Sequence, residues 1–186
     1  MKATVSINWQ RRHSMRRILF CIALIVFLTG FANPSVTRVN KEAIDRIAIT
    51  KIFVPRFEGN PDFVEVSTDL FIAELETRIQ ATIVQGSALR IESTDIIAGG
   101  NLAPTELAIQ KAKEANAEVL IMGKVTSHHT GAMLNGFSTV RVIDVATGAI
   151  LASFHRPSGK LIGSSEHAAV LAAVSRTAKD VAKALE

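Results

Sequence analysis

Two short segments of this chain, residues 46–54 and 118–126, are almost continuously apolar and rich in β-branched residues. Runs of this kind are typical of strands that are buried on both faces of a sheet, so they constrain the fold strongly. The stretch between them has helical spacing, and strands that are joined through helices are expected to run parallel. The sequence therefore predicts a layered domain built on a sheet.

The first predicted helix follows a loop after the opening strand. Ser67 or Thr68 is a suitable N-cap, Asp69 lies where the helix dipole favours a negative charge, and Gly86 is a suitable stop. The apolar positions keep one helical face: Ile72, Leu75, Ile79 and Ile83. A short strand is predicted at 88–93, and Pro104 suits the start of a second helix.

The last third of the chain predicts a hairpin and a final helix. Residues 138–144 alternate between apolar and polar positions, and residues 149–155 return antiparallel after a tight turn. Ser164 and Ser165 precede a helix with an apolar stripe: Leu171, Val174, Ala178, Val181 and Leu185. The element order is β-α-β-α-β-β-β-α, and we predict an α/β (α+β) fold with a mixed β-sheet and helices packed on it.

Charge is distributed unevenly along the chain. The whole sequence has a formal charge of +4, but residues 1–32 hold five bases and no acid, which leaves 16 bases against 17 acids in the rest. A nucleic-acid-binding domain needs an excess of bases in its folded part. We therefore expect no nucleic-acid partner.

Residues 1–32 have the pattern of a secretory signal peptide. A basic segment precedes 15 uncharged, mostly apolar residues, and Gly30-Phe31-Ala32 supplies a small-x-small exit. We predict cleavage before Asn33 and export to the periplasm, with Met15 as an alternative translation start. An uncleaved inner-membrane anchor is the alternative, for which the apolar run is short.

The predicted domain organisation is a signal peptide at 1–32, a polar tether at 33–45 and one domain at 46–186. The only cysteine, Cys21, lies in the leader, so the mature chain has no thiol for a disulfide or a nucleophile. Cys21 also stands near the start of the apolar run, which argues against lipid attachment. A cysteine-free exported domain fits a bacterial periplasm.

Three motifs follow one another in an order that resembles a known family. They are Ile47-Ala48-Ile49 with Val54-Pro55-Arg56-Phe57, the segment 117–125, and the hairpin 140–153. Together they resemble the curli production assembly/transport family (CsgG), whose relatives include the N-terminal domain of TolB and the penicillin-binding-protein activator lipoproteins. The resemblance extends over roughly residues 46–186.

The resemblance implies a non-enzymatic envelope protein that acts in envelope assembly or secretion through protein–protein or self association. The chain departs from the family because it lacks a lipid-attachment cysteine and because its loops are too short for hairpins that form a membrane barrel. We therefore expect only indirect contact with a membrane, such as association with the outer membrane. The alternative is anchoring through an uncleaved leader. The alternative function is a soluble periplasmic regulator that docks on a peptidoglycan synthase.

No residue pattern predicts catalysis, a cofactor or a metal site. His128 and His129 are adjacent, so on extended backbone they point to opposite faces, and a zinc site needs three or four converging ligands. Gly123-Lys124 lacks the rest of a phosphate-binding loop. An exported hydrolase with an unrecognised site, using His155 or His167, is an alternative of a different class.

Two predicted loops, at 57–66 and 130–137, carry apolar side chains. Such residues on loop tips can contact a partner, and they can equally fold back over the core. We take them as candidate contacts with envelope proteins or with a second copy of the chain. These candidates are Phe57, Phe63, Met133, Leu134 and Phe137.

Overall fold

The computed structural model describes residues 35–86, 104–130, 133–159 and 165–186. All of them belong to one compact unit, Ser35–Glu186. The predicted signal peptide at 1–32 and the predicted strand at 88–93 lie outside the described residues. The elements are β1 (Val36–Val39), α1 (Lys41–Asp45), β2 (Lys51–Pro55), β3 (Glu58–Gly59), α2 (Pro61–Glu76), β4 (Thr82–Gly86), α3 (Pro104–Glu114), β5 (Val119–Thr130), β6 (Met133–Asp144), β7 (Ile150–Pro157) and α4 (Glu166–Leu185).

Seven strands form one mixed sheet in the order β1-β7-β6-β5-β2-β4, and β3 pairs with β5 beside this path. β2 runs parallel to β4 and β5, and β3 also runs parallel to β5. β5, β6 and β7 form an antiparallel meander, which β1 extends by pairing with β7. With the four helices of the described residues, this sheet confirms the predicted α/β fold.

Helices cover the two faces of the sheet unequally. On one face α2 and α4 pack together and bury Phe71, Leu75 and Val174 in the main core. On the other face α3 sits over one end of the sheet, where Ala108 and Ala112 pack in a smaller core cluster. No described helix covers the remainder of that second face, and polar side chains of β5 and β6 are exposed there.

The predicted polar tether at 33–45 is wrong for most of its length, because β1 and α1 occupy it. β1 pairs antiparallel with the outer edge of β7. Asn40 then caps α1, and its side-chain oxygen accepts a hydrogen bond from Ala43 N at 3.1 Å. A four-residue exposed edge strand carries little apolar signal, so its pairing with a distant strand is not visible in the sequence.

Helix α2 begins earlier than predicted, inside the expected loop 57–66. Asn60 is its N-cap instead of Ser67 or Thr68, and the Asn60 side-chain oxygen lies 3.1 Å from Asp62 N. Pro61 occupies the first turn, where its missing N–H costs nothing. The hydroxyl residues that the sequence offered as caps are instead buried within the helix.

Helix α2 also ends earlier, at Glu76, and does not continue to Gly86. Residues 82–86 form strand β4, which pairs in parallel with β2. The spacing of Ile79 and Ile83 fits a helical face, but a five-residue strand cannot be separated from a helix by spacing alone.

The predicted loop 130–137 is instead the end of a long hairpin. β5 and β6 have 12 residues each and pair along their full length. Near the hairpin tip, Gly136 lies so close to α4 that an added Cβ would be 2.4 Å from backbone atoms of Ala169. α4 begins as predicted, because Ser165 Oγ accepts a hydrogen bond from Ala168 N at 3.2 Å.

Candidate functional site

We define the open face as the surface of β5, β6, β7 and β1 that points away from α2 and α4. Strand alternation and register fix its members. Neighbouring strands bring them together in four rows: Arg38–Ser153–Arg141–Met122, Val36–His155–Thr139–Lys124, Pro157–Phe137–Thr126 and Asn135–His128. None of these residues is acidic, and Glu58 of β3, in register with Lys124, lies at the margin. The open face is therefore cationic.

An aromatic cluster lies in the middle of the open face. Phe137 stacks on the ring of His155, with ring centroids 5.5 Å apart and an interplanar angle of 14°. His128 meets Phe137 edge-on at 5.4 Å. The side chain of Thr139 hydrogen-bonds with His155 Nδ1 at 2.9 Å and so orients this ring. Phe137 and His155 are half-buried and His128 is exposed, and accessible rings of this kind suit contact with a partner surface.

A groove of about 630 Å³ lies at the β1 end of the open face, and we call it the basic groove. Arg38 and Arg141 line it together with Val36, Val39 and Ile150. The three aliphatic side chains are 46%, 40% and 56% exposed. Both arginines are exposed, and neither forms an ion pair with any described residue. A concave surface that is both cationic and aliphatic fits an acidic, partly apolar ligand.

A second polar cluster lies on the helix side of the hairpin. Glu166 hydrogen-bonds with Ser127 through one carboxylate oxygen, and its other oxygen lies 3.8 Å from His129 Nε2. The ring of His167 contacts Phe63 edge-on at 5.3 Å. In a hydrolytic triad the imidazole stands between hydroxyl and carboxylate. Here the carboxylate stands between the other two groups, so the cluster is suited to attaching α4 to β5.

The five candidate contact residues lie in different environments. Phe57, Phe63 and Leu134 are buried in the core, so the structure does not present them at loop tips. Phe137 is half-buried on the open face. Met133 begins β6 at the hairpin tip. Of the candidates, Phe137 and the backbone position of Met133 therefore lie where a partner could approach.

The basic groove is not predicted from the sequence. Arg38 and Arg141 are far apart in the chain and meet because β1 and β6 both flank β7. The alternation of residues 138–144 does place Arg141 opposite to the apolar Val140 and Val142, which is the one signal that the sequence carried. The contribution of β1 depends on long-range pairing, which has no local signature.

Within the described ranges, no group of three or more His, Cys, Asp or Glu side chains could hold a metal ion. A search of the same ranges also finds no helix that is long and apolar enough to cross a membrane. His128 and His129 diverge as their alternation predicts, since the first contacts Phe137 and the second approaches Glu166.

Carboxylates with a lowered pKa connect elements of the fold. The hydroxyl of Ser175 donates to Glu74 at 2.9 Å and lowers the pKa of that carboxyl, which joins α2 to α4. Partial burial by itself raises the pKa of Glu118, but hydrogen bonds from Lys51 N at 2.7 Å and Thr50 N at 3.0 Å outweigh it and lower the pKa. Both carboxylates stabilise the fold, and neither lies on the open face.

Comparison with known proteins finds similarity in fold. No protein-family model and no curated protein matches the chain. The PelC dodecamer from Paraburkholderia phytofirmans is similar at 18% identity and a TM-score of 0.51, over 82% of this chain and 94% of that chain. A variant of that dodecamer gives 15% identity and a TM-score of 0.51, over 77% and 95%. The C-terminal domain of LpoB from Salmonella enterica gives 13% identity and a TM-score of 0.38, over 64% and 94%.

These similarities bear on the fold alone. LpoB, a penicillin-binding-protein activator lipoprotein, is among the solved structures to which the chain is similar. The resemblance to CsgG and to TolB stays a prediction.

Proposed function

We propose that this chain is a non-enzymatic protein of the bacterial cell envelope that works by self-association, as a homo-oligomer. The open face carries the proposal, because it is a cationic, partly apolar sheet surface that α3, among the described helices, covers only at one end. Burial of apolar surface contributes about 25 cal/mol per Å², so a second copy seated there gains free energy. The PelC dodecamer supports the proposal, because it has a similar fold and is built from twelve copies.

The envelope location rests on the signal-peptide pattern and on the resemblance to the CsgG family. The same resemblance suggests a role in envelope assembly or secretion. The non-enzymatic role is proposed on the same resemblance.

The test uses the full chain with a C-terminal tag, expressed with its own leader and purified from the periplasmic fraction. Intact-mass spectrometry gives the mass of the protomer, and light scattering after gel filtration gives the mass in solution at several concentrations. We expect a protomer that begins at Asn33 and a solution mass several times larger. A retained leader would contradict cleavage before Asn33 and favour the inner-membrane anchor. A monomer at every concentration would contradict self-association and favour the synthase regulator.

A further inference from the structure

We infer that the basic groove receives helix α2 of a second copy, through the exposed acidic face of that helix. The inference rests on the proposed function, because it names the contact through which the copies associate. It requires complementary charge and exposed apolar surface on two parts of the same chain.

Helix α2 presents one continuous exposed stripe. Its members are spaced alternately by four and three residues, which places them on one helical face. They are Asp62, Val66, Asp69, Ala73 and Glu76. Three of the five are acids, none is a base, and Glu65 borders the stripe as a further exposed acid. The opposite side of the helix is buried in the main core, so this stripe is the surface that α2 offers to a partner.

The exposed aliphatic side chains are confined to the same two surfaces. Among the described residues, the large apolar side chains with high exposure are Val36, Val39, Val66 and Ile150. Three of them line the basic groove. The remaining one, Val66, is 45% exposed and lies within the acidic stripe of α2. Each surface thus combines exposed aliphatic groups with charges of one sign, and the signs are opposite.

Charges on both surfaces lack a compensating ion within their own copy. Arg38 and Arg141 form no ion pair with a described residue, and the same is true of Asp62 and Glu76. Asp69 accepts a hydrogen bond from the neutral side chain of Gln85 at 2.9 Å. Glu65 is the exception, since it lies 3.3 Å from Arg56. Opposite potentials of this kind orient two surfaces and exclude wrong pairings.

One copy cannot make this contact with itself. α2 packs on the side of the sheet that lies opposite the open face, whereas the groove lies at the β1 edge of the open face. Two different surfaces therefore meet between copies, and such a heterologous contact produces a ring when the rotation closes. A helix whose anchors follow three- and four-residue spacing and lie in a groove is a recurrent recognition mode.

Two charge-reversal variants of the full chain test the inference. The groove variant carries Arg38→Glu and Arg141→Glu, and the helix variant carries Glu65→Lys and Asp69→Lys, which flank Val66. Matched controls retain the charges: Arg38→Lys with Arg141→Lys, and Glu65→Asp with Asp69→Glu. Circular dichroism and thermal unfolding establish that each variant is folded before its mass is measured by light scattering.

We expect each reversal to weaken association at least about tenfold, because like charges then face each other across the contact. The charge-retaining controls should assemble as the wild type does. A mixture of the groove and helix variants should regain association, because the acidic groove of one then meets the basic helix of the other. High salt should weaken the wild-type assembly, since the charges are solvent-exposed.

The outcomes separate this inference from the proposed function. A wild-type oligomer that neither reversal weakens would overturn the inference and leave self-association intact. Loss of association in the groove variant alone would assign the groove to a different occupant and overturn the role of α2. A wild-type monomer would overturn both proposals.

Discussion

Replacing Gly136 with alanine tests whether the hairpin and α4 are as tightly joined as the structure indicates. The new Cβ would stand 2.4 Å from the carbonyl carbon and oxygen of Ala169 and 2.5 Å from Val170 N. Ordinary contacts of a Cβ begin at 3.4 Å, so β6 and α4 would have to separate by about 1 Å. The obstructing atoms all belong to the backbone, so no side-chain rotation can relieve the contact.

The strand is also poorly able to move away from the helix. Gly136 N donates to Ser158 Oγ at 3.0 Å, and Ser158 N donates to the Gly136 carbonyl at 2.8 Å. Overpacking of a dense core costs about 1–3 kcal/mol, and alanine recovers part of this because it restricts the unfolded chain. With a recovery of about 0.5 kcal/mol, we expect a net loss of about 0.5–2.5 kcal/mol in the free energy of unfolding, or about 1–10 °C in Tm for a domain of this size.

The assay is urea unfolding followed by circular dichroism, at one fixed protein concentration. Ser138→Ala is the matched control, because Ser138 lies on the same strand and the same side of the sheet. Its buried hydroxyl has no hydrogen-bond partner among the described residues. Its removal should leave the stability unchanged or raise it by up to about 1 kcal/mol. Gly136→Ala within about 0.5 kcal/mol of the wild type would refute the close approach of β6 and α4.

Further predictions concern the half-buried carboxylate of Glu118, the N-cap of α4 and the main core. Glu118→Gln should cost about 1–2 kcal/mol at neutral pH, because the backbone N–H groups of Thr50 and Lys51 lose a charged acceptor. Folding lowers the pKa of Glu118, so its stabilisation is present above the ordinary pKa of about 4.3 and is lost as the pH falls through the lowered value. Urea unfolding at neutral and acidic pH should show the gap to wild type closing in acid, and a constant gap would contradict it. Ser165→Ala should cost about 1 kcal/mol through loss of the α4 cap, while Ser165→Asp should retain most of that stability in the same assay. Phe71→Ala should cost about 3–5 kcal/mol, because the ring is fully buried, and a smaller loss in thermal unfolding would mean that the core can collapse around it.

The parts of the fold that sequence analysis predicted are those with a strong local pattern. The apolar run 118–126 lies largely in β5, and the second half of the run 46–54 lies in β2, whereas residues 46–50 precede the strand. The serine before the last apolar stripe is the cap of α4. The start of α2 was also available locally, because Asn60 before Pro61 is a good cap with proline in the first turn. Ser67 and Thr68 are equally good caps by residue type, and the sequence does not show that their hydroxyl groups are buried within the helix.

The candidate site was harder to predict, because it depends on contacts between distant strands. The sequence predicts a loop at Leu134, whereas in the structure this residue is paired in the hairpin and buried, on the side of β6 where Gly136 approaches α4. Phe137 lies on the same strand as Leu134, but its side chain points to the other side of the sheet. It therefore lies on the open face beside His155. Alternation across 133–137 contained this distinction, but only the packing of α4 decides which side is covered.

The pairing of β1 with β7 also predicts the order in which the elements fold. β1 lies at the start of the domain and β7 lies near its end. Pairing them closes a long segment of chain into a loop, which costs conformational entropy. The β5–β6–β7 meander and α4 are close neighbours in sequence and can form first. β1, although early in the chain, has to wait for β7 before it gains a partner. The groove is therefore complete only in a fully folded copy. Association through the groove would then exclude partly folded copies from the assembly.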